Sequence, residues 1–596
     1  MAVAFAAAFL CACGGTATDV TSDGVEIKLV AQEAPEYLIT PSVTECAQGG
    51  EADFSIETVP GICITGCDSM DGYEITEEGM SPGGSRNYKL HISGISHTQV
   101  ISLQTRRQSV RIKYHMDMPE VVTEEEIYHL KVRSLRSDEV SVPEGYSLVG
   151  WSMDPLSGAS EAVPCGSRIP INYDEDTGEP EDVDLYPILA EWTDPSCFTY
   201  ENNGDGIMIT GGNKSDFGER LVIPETISGK NVQGIREGAF EDVKAEELIL
   251  PQGLLKIETG AFKNAAFECV YVYDDLGELS PRAFDGADSI KKLVMISSVP
   301  RVYAGSYYDA FADKMAVLSS VSDQKKIVLF SGSSARFGYD SRAIEEAFPG
   351  TTVVNMGVFA YTNAFPQLRL IENCLGEDDI LLLSPEFDAA QSQFCIRDTL
   401  EWHIFAMTEG DCSILSDLDL RDYSGVWQAL AGYLSARRGM TALAEDVSVF
   451  GQDEDGRIAD SPVYNDRGDY ILYRPDATDD TPIYDLPVDY REGALPYEYY
   501  IRPFNDICKE ISSKGVKIYF TYAPRNKEAL SDESTKEERQ KLDEYLRDNL
   551  CIPVISDIEE SLYPGRYLYG TDNHLSTEGV RIRTERIIRD LMEVGS

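Results

Sequence analysis

The segment YGTDNHLSTEGVR, residues 569–581, carries one of only six histidines in a chain of 596 residues. Asp572 precedes His574 by two positions, and Ser576 fits an N-cap for a helix whose buried stripe is Val580, Ile587, Ile588 and Leu591. His574 thus lies on a polar loop just outside a packed element. A core histidine would sit on an apolar face, and this one does not. A second suggestive site holds Ser333 and Ser334 in IVLFSGSSARFGYDS, where an apolar run ends in small residues before a helix. A serine at such a strand tip lies beside helix N-terminal amides, which favour developing negative charge, and its small neighbours let a carbonyl approach. Taken alone, a Gly-Ser-Ser turn is more often a simple N-cap.

These residues belong to a doubly wound α/β pattern beginning near residue 320. The apolar runs KIVLF, TTVVNMGV, DILLLS, VKIYFTYAP and IPVIS alternate with helical segments such as SRAIEEAF, PQLRLIENCL and KEERQKLDEYLRDNL. Continuous apolar strands separated by helices indicate a parallel sheet covered on both faces, with ligands gathering at the strands' carboxyl ends. Residues 388–500 interrupt this pattern as an Asp- and Tyr-rich insertion containing Tyr464, Tyr470, Tyr473 and Tyr484. Those tyrosines either stack on sugar rings or hold the insertion down. His403, beside Trp402, is the competing histidine of this region and reads as structural.

Upstream the texture is β-rich, and the length predicts several domains at about 150 residues each. Residues 25–108 show short alternating runs such as ADFSIETV and YKLHISGI, as expected of a small immunoglobulin-like sandwich. Residues 109–195 carry Gly145-Tyr146, Gly150-Trp151, Leu185-Tyr186 and Trp192, an order that resembles the internalin B-repeat (Listeria-Bacteroides repeat) β-module. The resemblance implies a spacer or stalk whose aromatics are core. Residues 196–300 repeat IREGAF, IETGAF and LSPRAF, placing Ala-Phe at 239/240, 261/262 and 283/284. This period of 22 predicts a solenoid in which each unit buries its apolar face against its neighbours. With the lead-in NGDGIMITG it resembles BspA-like leucine-rich repeats of bacterial surface proteins, which implies a spacer or a face for a surface protein ligand. Three units are near the minimum for stability, so the block should lean on its neighbours. Residues 301–319 read as a linker.

The N-terminal run MAVAFAAAFLCACGG is too short to span a bilayer, which needs about 20 residues, but suits a signal peptide. Leu10-Cys11-Ala12-Cys13 resembles the bacterial lipoprotein box, which implies lipidation at Cys13 and a tether over residues 1–24. The usual basic n-region is missing, which points to a displaced start or a truncated chain. Acidic residues number 102 against 51 basic ones, and the net charge of −51 argues against nucleic-acid or anionic-membrane partners. The 13 cysteines show no metal-ligand spacing with histidines, so no metal or other cofactor is expected. Cys63 and Cys67 could pair, whereas Cys374, Cys395 and Cys412 read as buried apolar residues.

A serine after the first strand, an N-x-G segment after the second and an Asp/His pair before the last helix together resemble the SGNH (GDSL-type) hydrolase and acyltransferase superfamily. GSSARFGYDS, VVNMGVFA, ILLLSPEF and DNHLSTEG carry the likeness over about residues 320–596. The resemblance implies Ser333 as nucleophile, favoured over Ser334 by its spacing to Gly338, with His574 as base and Asp572 orienting it. It also implies an oxyanion hole from backbone amides near Ser334 and Gly357. Glu386, in SPEF, stands where many members use an Asn donor; a carboxylate donates only when protonated, so the hole is completed differently or Glu386 binds something else. The Asp usual before the nucleophile is absent. The expectation is a modular, extracellular, lipid-anchored bacterial surface protein acting on carbohydrate acyl esters through an acyl-Ser333 intermediate, by hydrolysis or transfer. The competing expectation is a non-catalytic adhesin built on a degenerate scaffold.

Overall fold

The computed structural model describes residues 26–595 apart from a few isolated positions and the stretches 81–84, 117–120, 128–130, 159–160, 175–176, 388–393, 395–397, 444–463, 471–473 and 479–486. Cys13, Cys395, Tyr473 and Tyr484 lie outside the described residues. The chain divides into two compact units near residue 106. In the first, strands Tyr37–Pro41, Gly50–Thr58, Arg86–Ile95 and Gly72–Met80 pair antiparallel in that spatial order. Alternate residues such as Phe54, Ile56, Leu90 and Ile92 turn inward to meet Ile27 and Leu29 of a smaller sheet, as period-two patterning requires. Cys63 and Cys67 are free thiols in this unit.

The second unit opens with a five-stranded sheet spanning residues 109–191. Trp151 is fully buried, edge-on to Tyr114 at 4.6 Å, and its indole N–H donates to the Leu135 carbonyl. Tyr146 is exposed instead, because it opens its strand at the sheet margin.

The solenoid follows as two parallel ladders. In one, Ile235, Ile257 and Leu279 are in register; in the other, Ile249, Tyr271 and Val294. Between them Phe240, Phe262 and Phe284 stack at 5.3 and 4.7 Å with planes 9° apart. Tyr271, Tyr273 and Ile296 face outward and share a core with Trp151, so the preceding sheet packs on the solenoid's flank.

Residues 309–320 are helix α1 (Asp309–Ser320), with Phe311 and Leu318 fully buried. The stretch read from sequence as a linker is therefore largely a packed element, since FADKMAVL presents apolar residues at helical spacing.

Four parallel strands come next: β1 (Lys326–Phe330), β2 (Thr352–Asn355), β3 (Ile380–Leu383) and β4 (Lys517–Phe520). Their spatial order is β2-β1-β3-β4, and Val554 bridges to Phe520 at the open edge. Ile327, Leu329 and Leu382 face α3 (Ser341–Ala347) and the final helix, here α9 (Thr577–Gly595). Val328, Phe330 and Leu383 face the main core, which holds α1, α4 (Ala364–Glu372) and α7 (Arg502–Ser512). Helices thus cover both faces. Reversal of strand order between β1 and β3 opens a crevice at their carboxyl ends.

Between β3 and β4 lie α5 (His403–Thr408) and α6 (Val426–Leu443). The short helix α2 (Ser333–Arg336) follows β1, and α8 (Lys536–Asn549) precedes the Val554 edge. Among the described residues no helix is long and apolar enough to cross a membrane.

Candidate active site

The residues expected from sequence to do chemistry gather at the carboxyl ends of β1 and β3. Gly332 and Ser333 turn the chain from β1 into α2, and a Cβ at position 332 would lie 2.5 Å from the Ala360 Cα. The turn therefore excludes any side chain there, which explains why no Asp precedes Ser333. Ser333 is half-buried, and among the described residues its hydroxyl has no hydrogen-bond partner. Ser334 is fully buried, with its hydroxyl 3.3 Å from that of Ser331. Of the two serines, Ser333 is the accessible one.

Glu386, just beyond β3, bridges the two halves of the site. Its Oε1 accepts from the Ser334 backbone N–H at 2.8 Å and its Oε2 from Asn573 Nδ2 at 2.5 Å. Burial pushes the Glu386 carboxyl above its ordinary range, opposed by the Ser334 amide and by the Arg525 guanidinium.

The loop before α9 delivers Asp572 and His574 to the same crevice. The His574 ring lies 4.2 Å from that of Phe337, which ends α2, and Arg583 of α9 donates to the Ser334 carbonyl at 3.2 Å. Serine and imidazole are therefore brought to one side of the sheet. Neither serine is hydrogen-bonded to His574, however. Asp572 instead accepts from Arg525 at 2.6 Å, while its carbonyl accepts from the Asn526 N–H at 2.6 Å. His574 is depressed to about 3, first by burial and then by Arg336, Arg474 and Arg525, so the imidazole is neutral at ordinary pH.

Gly357 has a steric role. A Cβ there would come within 2.4 Å of the Arg336 amide nitrogen, so glycine lets the loop after β2 run against α2. Its N–H donates to Asn355 Oδ1 at 3.0 Å and its carbonyl accepts from the buried Lys314 Nζ. Both amides expected to line an oxyanion hole, those of Ser334 and Gly357, are thus committed to protein acceptors. Asn355 in turn donates from Nδ2 to the Ala335 carbonyl and to Asp469, whose carboxyl burial pushes up to about 6.

Tyr470 of the insertion is buried edge-on to Phe337 at 4.6 Å, and the Arg336 guanidinium stands 5.1 Å from the centroid of Tyr464 and 5.4 Å from that of Tyr470. These two rings hold the insertion to α2. His403 lies 3.5 Å from Glu401 and stacks on Tyr308 and Trp402, a packing role.

Sequence reasoning missed Arg525, Asn573 and the fully buried Tyr490, whose ring lies 5.5 Å from that of Phe387, the residue after Glu386. Arg525 could have been found from its place just past the end of β4, where a doubly wound sheet gathers its ligands. Tyr490 left no signal, since the insertion brings it in from outside the strand pattern. Among the described residues no group of three or more His, Cys, Asp or Glu could hold a metal ion.

The architecture is that of a multidomain chain rich in β-strands with a leucine-rich-repeat region. Residues 216–333 match the BspA type leucine rich repeat region, in six copies. That match includes the stacked phenylalanines and runs through α1 and β1 to Ser333. No curated protein is significantly similar to the chain.

Proposed function

We propose that residues 320–596 form an SGNH-like domain performing acyl-ester chemistry at Ser333, on carbohydrate acyl esters at a bacterial cell surface. One observation carries this reading. Glu386 ties the amide beside Ser333 to the residue beside His574, so that hydroxyl and imidazole share the crevice where β1 and β3 diverge. In the proposed cycle neutral His574 takes the Ser333 proton as Oγ attacks the ester carbonyl, then returns it to the leaving alkoxide; water or a sugar hydroxyl completes turnover. The carbohydrate acceptor rests on the likeness to that superfamily, and the surface location on the Cys13 box and the spacer-like modules upstream. A second reading, a binding domain without catalysis, is favoured by a specific observation: Asp572 is engaged by Arg525 and not by the imidazole.

The full chain should release p-nitrophenol from p-nitrophenyl acetate, and Ser333→Ala should lower the rate by about 10³-fold or more. Equal rates for the native protein and the double variant Ser333→Ala/Ser334→Ala would leave the binding reading in place.

A further inference from the structure

Glu386 is a buried carboxylate whose two oxygens are held by donors of separate origin. The Ser334 N–H belongs to the residue after the proposed nucleophile, and Asn573 Nδ2 to the residue before the proposed base. A buried guanidinium, Arg525, acts on the same carboxylate. Two converging donors with a cation behind them are what a tetrahedral intermediate needs about 3 Å from its developing oxyanion. Here an internal carboxylate already takes that position, so a substrate oxygen reaches these donors only by displacing it. We propose that the Ser334 N–H and Asn573 Nδ2 form an anion-binding pair serving as the oxyanion donors of this site, and that Glu386 is their internal occupant and governs access to them.

The catalytic meaning rests on Ser333 being the nucleophile; the anion pair itself stands on the two hydrogen bonds. In the step it supports, the bond from Ser333 Oγ to the carbonyl carbon forms and the carbonyl π pair moves onto oxygen, which enters between the two donors. His574 takes the hydroxyl proton. Collapse re-forms the carbonyl and breaks the bond to the leaving alkoxide, which takes that proton.

Two readouts separate these claims. In Glu386→Ala, sodium acetate should raise the thermal midpoint relative to sodium chloride at equal ionic strength, because acetate refills the vacated pair. The native protein and Glu386→Ala/Asn573→Ala should not respond. Labelling of Ser333 by an alkyl fluorophosphonate should be about tenfold faster in Glu386→Ala than in the native protein, and slower in Asn573→Ala. No acetate response in Glu386→Ala, or an equal one in the native protein, overturns the anion pair. An acetate response without Ser333 labelling in any variant supports the pair and overturns the acyl-transfer reading. Should the alanine variant not fold, Glu386→Gln turns one acceptor into a donor facing a donor and should also speed labelling; an unchanged rate overturns the proposal.

Discussion

His574 shows how far a residue's type can be read and where its setting escapes. Its position on a polar loop before a helix is plain from DNHLSTEG, but the carboxylate two residues away, expected to orient it, is taken by Arg525 instead. Its burial is not plain, because Phe337, Arg336 and Arg474 reach it from segments 100 or more residues upstream and nothing local to the loop announces them. The missing Asp before Ser333 is equally opaque in sequence and simple in space, since Ala360 fills the volume that such a side chain would need. The depressed imidazole has a consequence for stability. Unfolded, His574 titrates near 6.5; folded, it stays neutral down to about 3. Between these values the unfolded chain holds a proton that the native state lacks, so this group's contribution is present above pH about 6.5 and is lost as pH falls below it. The loss runs at about 1.4 kcal/mol per pH unit. Glu386 and Asp469, both pushed up, oppose it in part of the same window, so the comparison must be with a variant. Urea titrations from pH 6.5 to 4 should show native stability falling more steeply than that of His574→Gln, by up to that slope. Parallel profiles would mean that the imidazole is not buried neutral.

At the level of elements, the 22-residue period in Ala-Phe was legible because identical units must present identical apolar faces to one another. What ends the stack was not. Phe284 meets Trp427 of α6 at 3.9 Å, so a ring from the insertion in the α/β region caps a ladder built more than a hundred residues earlier. A solenoid needs such a terminal cover, and a cap supplied in trans to the repeat leaves no periodic trace. Trp427→Ala should cost about 2–4 kcal/mol, below the range for a fully buried aromatic because Trp427 is half-buried. Leu156→Ala, at a side chain 90 % exposed, should change stability by less than about 0.5 kcal/mol. A cost for Trp427→Ala no larger than for Leu156→Ala, measured by chemical denaturation, would show that the cap is dispensable. The strands of the parallel sheet were equally readable as apolar runs, since burial on both faces removes the alternation that an exposed face would impose. Their β2-β1-β3-β4 order depends on contacts between runs and is what places Ser333 and Glu386 at one crevice.

Taken whole, the second unit is not a row of independent modules. Arg168 of the β-module pairs with Asp313 of α1, Trp151 shares a core with the solenoid's outer tyrosines, and Arg437 of α6 binds Glu409 and the carbonyls of Asp274 and Pro300. Composition and repeat period gave the modular order but could not reveal this fusion, because each junction joins residues far apart in sequence. Within this unit the β-module and the solenoid therefore hold the crevice on a fixed platform. The chain as a whole carries a net charge of −51, which disfavours polyanionic partners. The claim on which this account turns is that Ser333 attacks an acyl carbon with His574 as base. Its most direct test is peptide mapping by mass spectrometry of the full chain, acid-quenched during turnover of p-nitrophenyl acetate. An acetyl group on Ser333, absent from His574→Gln, is the result expected. A folded native chain with no acetyl group on Ser333 would contradict it.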